Sequence, residues 1–407
     1  MSSFPTVAAA GGSLPPLVLK PREERRLQAG HLWIYSNEVN VDATPLVAFE
    51  PGTQVQVRSS ANHFLGYGYV NPHTLISARI LGRDPEHPPG RSLLVHRLNV
   101  AAALRKRLYE APFHRLVFGE ADLLPGLVVD RYGDVVVAQI GTAGMEAMKQ
   151  EIQDALVSVI APAALVWKND APVRELEGLE RHVETAFGQV PDFVDVPEGG
   201  VTFRVPLAAG QKTGWYFDQS ANRAMLARHA RGARVLDVFS YAGGFGLQAA
   251  RAGAASVTCV DSSAAALEAA ADTARRNGLD AEIIDGDAFE TLEAFAGLRR
   301  RFDIVVVDPP AFIKRRKDHP KGLAGYRRLN LLAMRALERD GLLLSCSCSY
   351  HLAPGELIDA VQRAARHLGR FAQLIGVGAQ APDHPIHPAI EETRYLRAFL
   401  FRVADSC

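Results

Sequence analysis

Two acids bracket a glycine-bearing turn near the middle of the chain, and their spacing outlines a binding site. Asp237 lies in an apolar, β-branched run from Val235 to Phe239. The run opens into Ser240-Tyr241-Ala242-Gly243-Gly244, a stretch of helical composition follows, and a second apolar run from Ser256 to Val260 is capped by Asp261. Strand, glycine loop, helix, strand and acid make half of a nucleotide-binding βαβ unit. Glycine lets backbone approach a ligand with no Cβ in the way, and an acid ending the second strand is placed to accept hydrogen bonds from ribose hydroxyls.

The ligand class follows from charge. Gly244-Phe245-Gly246-Leu247-Gln248-Ala249 satisfies the dinucleotide pattern G-x-G-x-x-A. A dinucleotide site, however, puts its first glycine directly after the strand, so that pyrophosphate sits on the helix N-terminus. Here several residues separate the glycines from Asp237 in the strand end. A carboxylate there repels pyrophosphate and attracts the ammonium of a methionine moiety. That favours S-adenosylmethionine (SAM), which carries no phosphate, over NAD and over a turn that binds nothing.

These residues need a sheet to hold them, and the sequence supplies one. From about Val201 to Cys407, strands alternate with helices, as a parallel sheet requires. A helix from Ser263 to Asn277 ends at Gly278, where a left-handed cap is expected. A strand from Ala281 to Ile284 leads into Asp285-Gly286-Asp287-Ala288-Phe289, one from Phe302 to Val307 ends in Asp308-Pro309-Pro310, and one from Gly341 to Cys346 runs into Ser347-Cys348-Ser349-Tyr350. Every polar cluster therefore stands at the carboxyl end of a strand, where open α/β sheets bind ligands.

The chain of 407 residues is long enough for two or three domains. The expected division is a tail over 1–16, a compact β-rich domain over 17–90, a central α/β domain over 91–195 and the Rossmann-like sheet domain over 196–407. In the central part a helix is expected from Met145 to Ile160 and a hairpin from Leu127 to Ile140, with packing and positioning as its role. Trp33, Tyr35, Tyr67 and Tyr69 suit base stacking as well as a core. A net charge of +0 excludes a generally basic coat, so any polyanion site must be local. Four cysteines without a C-x-x-C pair fit a reducing cytoplasm and no zinc site, and no run suits a signal peptide or a membrane span. His384 and His387 lack a third metal ligand and read as structural.

Together these residues resemble the class I SAM-dependent methyltransferases, and within them the PUA-domain large-subunit rRNA methyltransferases that modify cytosine at carbon 5. Gly30-His31-Leu32-Trp33-Ile34-Tyr35-Ser36 and Phe64-Leu65-Gly66-Tyr67-Gly68-Tyr69 are similar to the PUA domain of that family. Asp122 to Gly133 resembles its central domain, and Gln211-Lys212-Thr213-Gly214-Trp215-Tyr216-Phe217-Asp218-Gln219 with Asn222-Arg223 the motif before its catalytic sheet. The resemblance implies that Phe217 and Asp218 flank the cofactor and that Asp237, Tyr241, Ala242 and Gly243 face its methionine end. It implies that Asp261 and Ser262 hold the ribose, and that Asp287 and Ala288 reach the adenine. Asp308 would contact the target base. It also implies a partner, 23S rRNA or a ribosome assembly intermediate, with no membrane and no metal. A homodimer is left open, and so is the identity of the nucleotide.

Cytosine carbon 5 is a poor nucleophile until a thiolate adds at carbon 6. Cys346 and Cys348 are two apart, so periodicity alone does not choose between them. Cys348 lies nearer the strand tip and aligns with the family's nucleophile. The second cysteine that two-cysteine RNA cytosine methyltransferases carry beside the Asp-Pro-Pro motif is missing here. Lys314-Arg315-Arg316-Lys317, directly after that motif, are candidates for RNA phosphates. Two other readings remain at this stage: an rRNA guanine methyltransferase without a covalent intermediate, and a non-catalytic RNA-binding assembly protein.

Overall fold

The computed structural model describes residues 14–207 and 213–405, so most of the expected tail, as well as Gln211 and Lys212, lies outside the described residues. Seven strands form the largest sheet: β1 (Arg234–Val238), β2 (Ser256–Asp261), β3 (Glu282–Asp285), β4 (Phe302–Val307), β5 (Leu337–Ser347), β6 (Arg370–Ala379) and β7 (Arg397–Asp405). Their order is β3-β2-β1-β4-β5-β7-β6. β1 pairs in parallel with both β2 and β4, whereas β7 runs antiparallel to β5 and β6. The chain leaves β1 first toward β2 and later returns to β4, so the strand order reverses at β1, and a crevice opens there beyond the carboxyl ends.

Six helices follow in chain order: α1 (Ser220–Ala227), α2 (Gly244–Arg251), α3 (Ala264–Arg276), α4 (Ala288–Gly297), α5 (His319–Arg335) and α6 (Pro354–His367). The sheet is buried on both faces, which is why its strands read as nearly continuous apolar runs. On one face Val238, Val305 and Leu343 pack with Tyr326 and Leu329 of α5 and Leu357 of α6. On the other, Val235, Ile304, Val306, Leu344 and Cys346 pack with Leu226 of α1 and Phe245 of α2. The period of two assigns Asp237 to this second face, and continues it beyond the strand tips to Asp308 and Cys348.

Two five-stranded sheets precede this one. Pro16–Val18, Trp33–Tyr35, Gln54–Arg58, Phe64–Val70 and Ile76–Gly82 form the first; Phe113–Phe118, Leu127–Tyr132, Val135–Ile140, Ala164–Asn169 and His182–Phe187 form the second. An antiparallel hairpin, Phe193–Glu198 with Val201–Pro206, stands before the seven-stranded sheet. The expected single helix from Met145 to Ile160 is instead two helices, Ala143–Ala147 and Lys149–Ile160, broken at Met148. The first begins two residues earlier than its apolar pattern suggests, and Gly144 in it packs on Tyr69.

Tyr69 is fully buried and donates to Pro125 O at 2.7 Å, and Tyr67 is 6% exposed, so these two aromatics are core and not stacking platforms. A Cβ on Gly144 would stand 2.0 Å from the Tyr69 ring. Gly144→Ala is therefore expected to destabilise the protein by about 1–3 kcal/mol, the scale of overpacking a closed core. A lowered denaturation midpoint with unchanged m-value would check it.

The segment between β6 and β7 straps the whole molecule together. Ile390 is fully buried in the core of the first sheet. Asp383 accepts from Arg115 N at 2.8 Å, its carbonyl accepts from Arg105 at 2.6 Å, and His384 pairs with its carboxylate at 2.8 Å. His384 lies against the Phe118 ring, 5.1 Å between centroids.

Candidate active site at the carboxyl ends of the catalytic strands

The loop leaving β1 is conformationally unusual. Phe239 (φ 64°), Tyr241 (φ 49°) and Gly243 (φ 77°) all adopt left-handed backbone. For the first two this is strain of order 1–3 kcal/mol, of a kind found where a loop is held for a purpose. Asp261 holds it: Oδ2 accepts from Tyr241 N at 2.8 Å, while Oδ1 accepts from Ser263 N at 2.9 Å. Tyr241 Oη in turn donates to Gly214 O at 2.8 Å. Ala242 is buried beneath the loop, whereas Ser262 is exposed beside Asp261.

Asp237 lies under the first turn of α2, where Oδ2 accepts from Gly246 N at 2.9 Å. Burial above all, with Asp308 and Asp261 adding repulsion, pushes its carboxyl up to about 7, although the Gly246 amide opposes this. Oδ1 is buried and has no hydrogen-bond partner among the described residues, and the same holds for Ser240 Oγ. Three carboxylates converging on one crevice suit a ligand with positive charge. SAM brings an ammonium and a sulfonium, so the donor set fits that cofactor.

The other cofactor candidates are spread around the same crevice. Asp287 is exposed and caps α4, accepting from Phe289 N at 2.9 Å and Glu290 N at 3.1 Å, with Ala288 buried as the first helical residue. Asp218 bonds the Tyr395 hydroxyl, and its carbonyl accepts from Ala381 N at 2.8 Å. Phe217 is only 3% exposed and packs on Tyr132, 5.2 Å between ring centroids, so its side chain belongs to the core behind the site.

Sequence reasoning missed Glu198, at the turn of the preceding hairpin. Its carboxylate accepts from Arg223 of α1, Gln248 of α2 and the Trp215 indole at 2.6–2.8 Å. One side chain thus fixes both helices beside Asp237. The central sheet contributes from behind: Asp130 pairs with Arg115 at 2.8 Å and bonds the Thr213 hydroxyl, and Tyr132 Oη accepts from Trp215 N at 2.8 Å.

The run Ser345-Cys346-Ser347-Cys348-Ser349 divides by alternation. Ser347 donates to Tyr326 Oη at 2.8 Å and Ser349 Oγ lies 2.9 Å from the same oxygen, so the serines face α5. The cysteines face the other way, at different depths. Cys346 is fully buried, and burial pushes its thiol far up, with Asp308 adding to the effect. Cys348 is half-buried beyond the strand end, its Sγ 4.0 Å from Pro309 O. The tips of β4 and β5 thereby bring Asp308-Pro309-Pro310 and Cys348 together. Tyr216 stands within electrostatic reach of Tyr241, Asp218, Asp308 and Cys348; burial above all pushes its hydroxyl's titration up, and these neighbours reinforce this.

Lys314, Arg315, Arg316 and Lys317 are all exposed on the loop leading from β4 to α5. Farther along α5 the cations are engaged: Arg328 pairs with Glu293 at 2.9 Å and Arg327 with Asp359 at 3.5 Å. Among the described residues no group of three or more His, Cys, Asp or Glu is arranged to hold a metal ion, and no helix is long and apolar enough to cross a membrane.

Comparison with known proteins agrees with this architecture. Residues 180–402 match the S-adenosylmethionine-dependent methyltransferase family, and residues 17–83 match a PUA-like domain. The chain is 36% identical to ribosomal RNA large subunit methyltransferase I of Shewanella frigidimarina, over 95% of this chain and 98% of that protein. It is 34% identical to the protein of the same name from Aliivibrio fischeri, over 95% and 99%. A crystal structure of a putative methyltransferase complexed with SAH superposes with a TM-score of 0.82 at 20% identity, covering 96% of this chain and all of that one. A putative SAM-dependent methyltransferase from Streptococcus mutans gives 0.80 at 20% identity, with the same coverage.

Proposed function

This chain belongs to the S-adenosylmethionine-dependent methyltransferases that carry a PUA-like domain, its cofactor is SAM, and from that premise we propose that it forms 5-methylcytosine in large-subunit (23S) ribosomal RNA. The observation that carries the reading is the approach of Cys348 Sγ to Pro309 O at the joined tips of β4 and β5, on the sheet face that also bears Asp237 and Asp308. The relatives' names support a large-subunit rRNA substrate, which in this proposal is met in the cytoplasm, free or in an assembling particle. The PUA-like domain over 17–90 and the exposed Lys314–Lys317 loop would bind that RNA, the central domain over 91–195 would position it, and the domain over 196–407 would act on it.

When bound, SAM would supply the methyl group, its S–CH3 bond breaking with the electron pair kept on sulfur, so that S-adenosylhomocysteine is the leaving group. The Cys348 thiolate donates its electron pair to carbon 6 of cytosine, and the electrons of the 5,6 double bond become nucleophilic at carbon 5, which takes the methyl. Loss of the carbon-5 proton to a base restores the double bond and expels the thiolate, so the enzyme is regenerated. Asp308 accepts from the exocyclic amino group of the base, and a proton held between its carboxyl and N3 would neutralise the negative charge that thiolate addition develops there, which stabilises the adduct. Covalent trapping on rRNA that carries 5-fluorocytidine tests this chemistry, because fluorine does not leave as a proton.

The cofactor residues are tested separately. Asp261→Ala is expected to weaken SAM binding by about 1–3 kcal/mol, through lost ribose hydrogen bonds and through release of the Tyr241 loop. Calorimetric titration of the folded variant is the measurement, and an unchanged affinity would remove Asp261 from the site.

A further inference from the structure

A concave pocket opens beyond the tip of β5, and the methyl-transfer scheme does not use it. Arg316 of the basic loop, Tyr350 and His351 just after Cys348, Glu391 and Arg394 of the strap, and Arg397 at the start of β7 line it. Its cations come from segments far apart in sequence, and folding gathers them beside the thiol. Arg397 Nη1 donates to Ser349 O and to Tyr395 O, each at 3.2 Å, which fixes this guanidinium one residue away from Cys348. Three guanidiniums face one carboxylate in the lining, a surplus of two positive charges, with Glu392 standing near Tyr350 as well. Burial, and after it the like charge of Arg394, depresses Arg397. Tyr350 is also within electrostatic reach of Tyr35 of the first sheet.

A phosphodiester carries a single negative charge and presents two oxygens to an arginine fork. Glu391 makes the wall less suited to a dianion than to that single charge. We propose that this pocket binds one backbone phosphate of the RNA strand next to the nucleotide presented to Cys348. The inference rests on the RNA reading above and deepens it: a phosphate contact fixes register and orientation while leaving sequence to be read elsewhere. The strand would then pass from the catalytic crevice over Tyr350 to the PUA-like domain.

Arg316 and Arg394 are exposed, so Arg316→Gln with Arg394→Gln leaves the core untouched. The probe is an in vitro transcript of large-subunit rRNA, bound by the full chain over a series of salt concentrations. The double variant is expected to bind roughly tenfold more weakly at fixed salt, the scale of one charge-assisted contact. The slope of log K against log salt should flatten by about 0.7–0.9 for the one phosphate lost. SAM affinity, measured on the same preparation, should stay unchanged. Affinity and slope equal to the parent's would overturn the proposal. A parallel arm follows trapping of the parent on a 5-fluorocytidine transcript. Failure to trap with a flattened slope in the variant would remove the cytosine chemistry and keep the pocket; trapping with an unaltered slope would do the reverse.

Discussion

Cys348→Ser is expected to abolish methylation and covalent trapping together, with kcat lowered by about 10⁴-fold or more, as when a covalent nucleophile is removed. A serine hydroxyl is far less nucleophilic toward carbon 6, and Asp308 and bound SAM cannot activate carbon 5 without the adduct. SAM affinity should be nearly unchanged, because Cys348 lies by the Asp-Pro-Pro tip, away from Asp237 and the β1 loop, to which the cofactor's methionine end is assigned in this proposal. Cys346→Ser supplies the contrast. That thiol is fully buried in the sheet, where a thiolate is strongly disfavoured. The substitution should keep substantial activity and lose about 1–3 kcal/mol of stability from a hydroxyl set among apolar side chains. Denaturing gels of 5-fluorocytidine rRNA with each variant decide the matter. Trapping that survives in Cys348→Ser and vanishes in Cys346→Ser would exchange the two roles. Full methylation by both variants would end the carbon-5 mechanism and return the guanine alternative.

The choice between those cysteines marks a boundary of what sequence alone conveys. Alternation put both on one face, and that was correct. Depth, which separates them, depends on where β5 stops and on β7 lying beside it, with Cys346 paired opposite Ala398. The strands that carry or lead into Asp237, Asp261 and Asp308 were legible because buried parallel strands need unbroken apolar runs, so an acid at the end of one stands out, whereas Asp287 follows the half-exposed β3 and caps α4. The strap from 380 to 396 was not legible. Its contacts join Asp383 to Arg115 and Ile390 to the first sheet, and no local period encodes a contact across more than 250 residues. Glu198 escaped for a related reason, since its partners Trp215, Arg223 and Gln248 lie on separate elements and a turn acid is unremarkable by itself. Phe217 shows the converse: its motif was visible, but only packing on Tyr132 reveals that the ring points into the core. The basic run was visible as charge, yet its convergence with Arg394 and Arg397 around Tyr350 required the strap.

Asp237 gives the second large effect, and its sign follows from the raised carboxyl, which titrates at about 7 instead of the ordinary 3.8. Below pH 4 the folded and unfolded chains both hold the proton, and the neutral acid accepts from Gly246 N without penalty. Between about pH 4 and 7 the unfolded chain gives up its proton first, so the stability of the cofactor-free protein falls as pH rises. Above pH 7 both forms are ionised and the loss is complete, about 4 kcal/mol at 1.36 kcal/mol per unit. Asp237→Asn keeps an oxygen for Gly246 N and removes the buried charge. It should therefore match the parent's stability near pH 4 and exceed it by up to about 4 kcal/mol at pH 8, in denaturant titrations without cofactor. SAM reverses the balance, because its ammonium favours the ionised carboxylate. Binding at pH 6 should release a proton from Asp237 in the parent and not in Asp237→Asn, which should also bind SAM more weakly by about 1–3 kcal/mol. Calorimetry in buffers of different ionisation enthalpy counts that proton. A stability difference between parent and variant that stays constant from pH 4 to pH 8 would show that Asp237 is ionised throughout, and the cationic pull of the crevice would lose its main support.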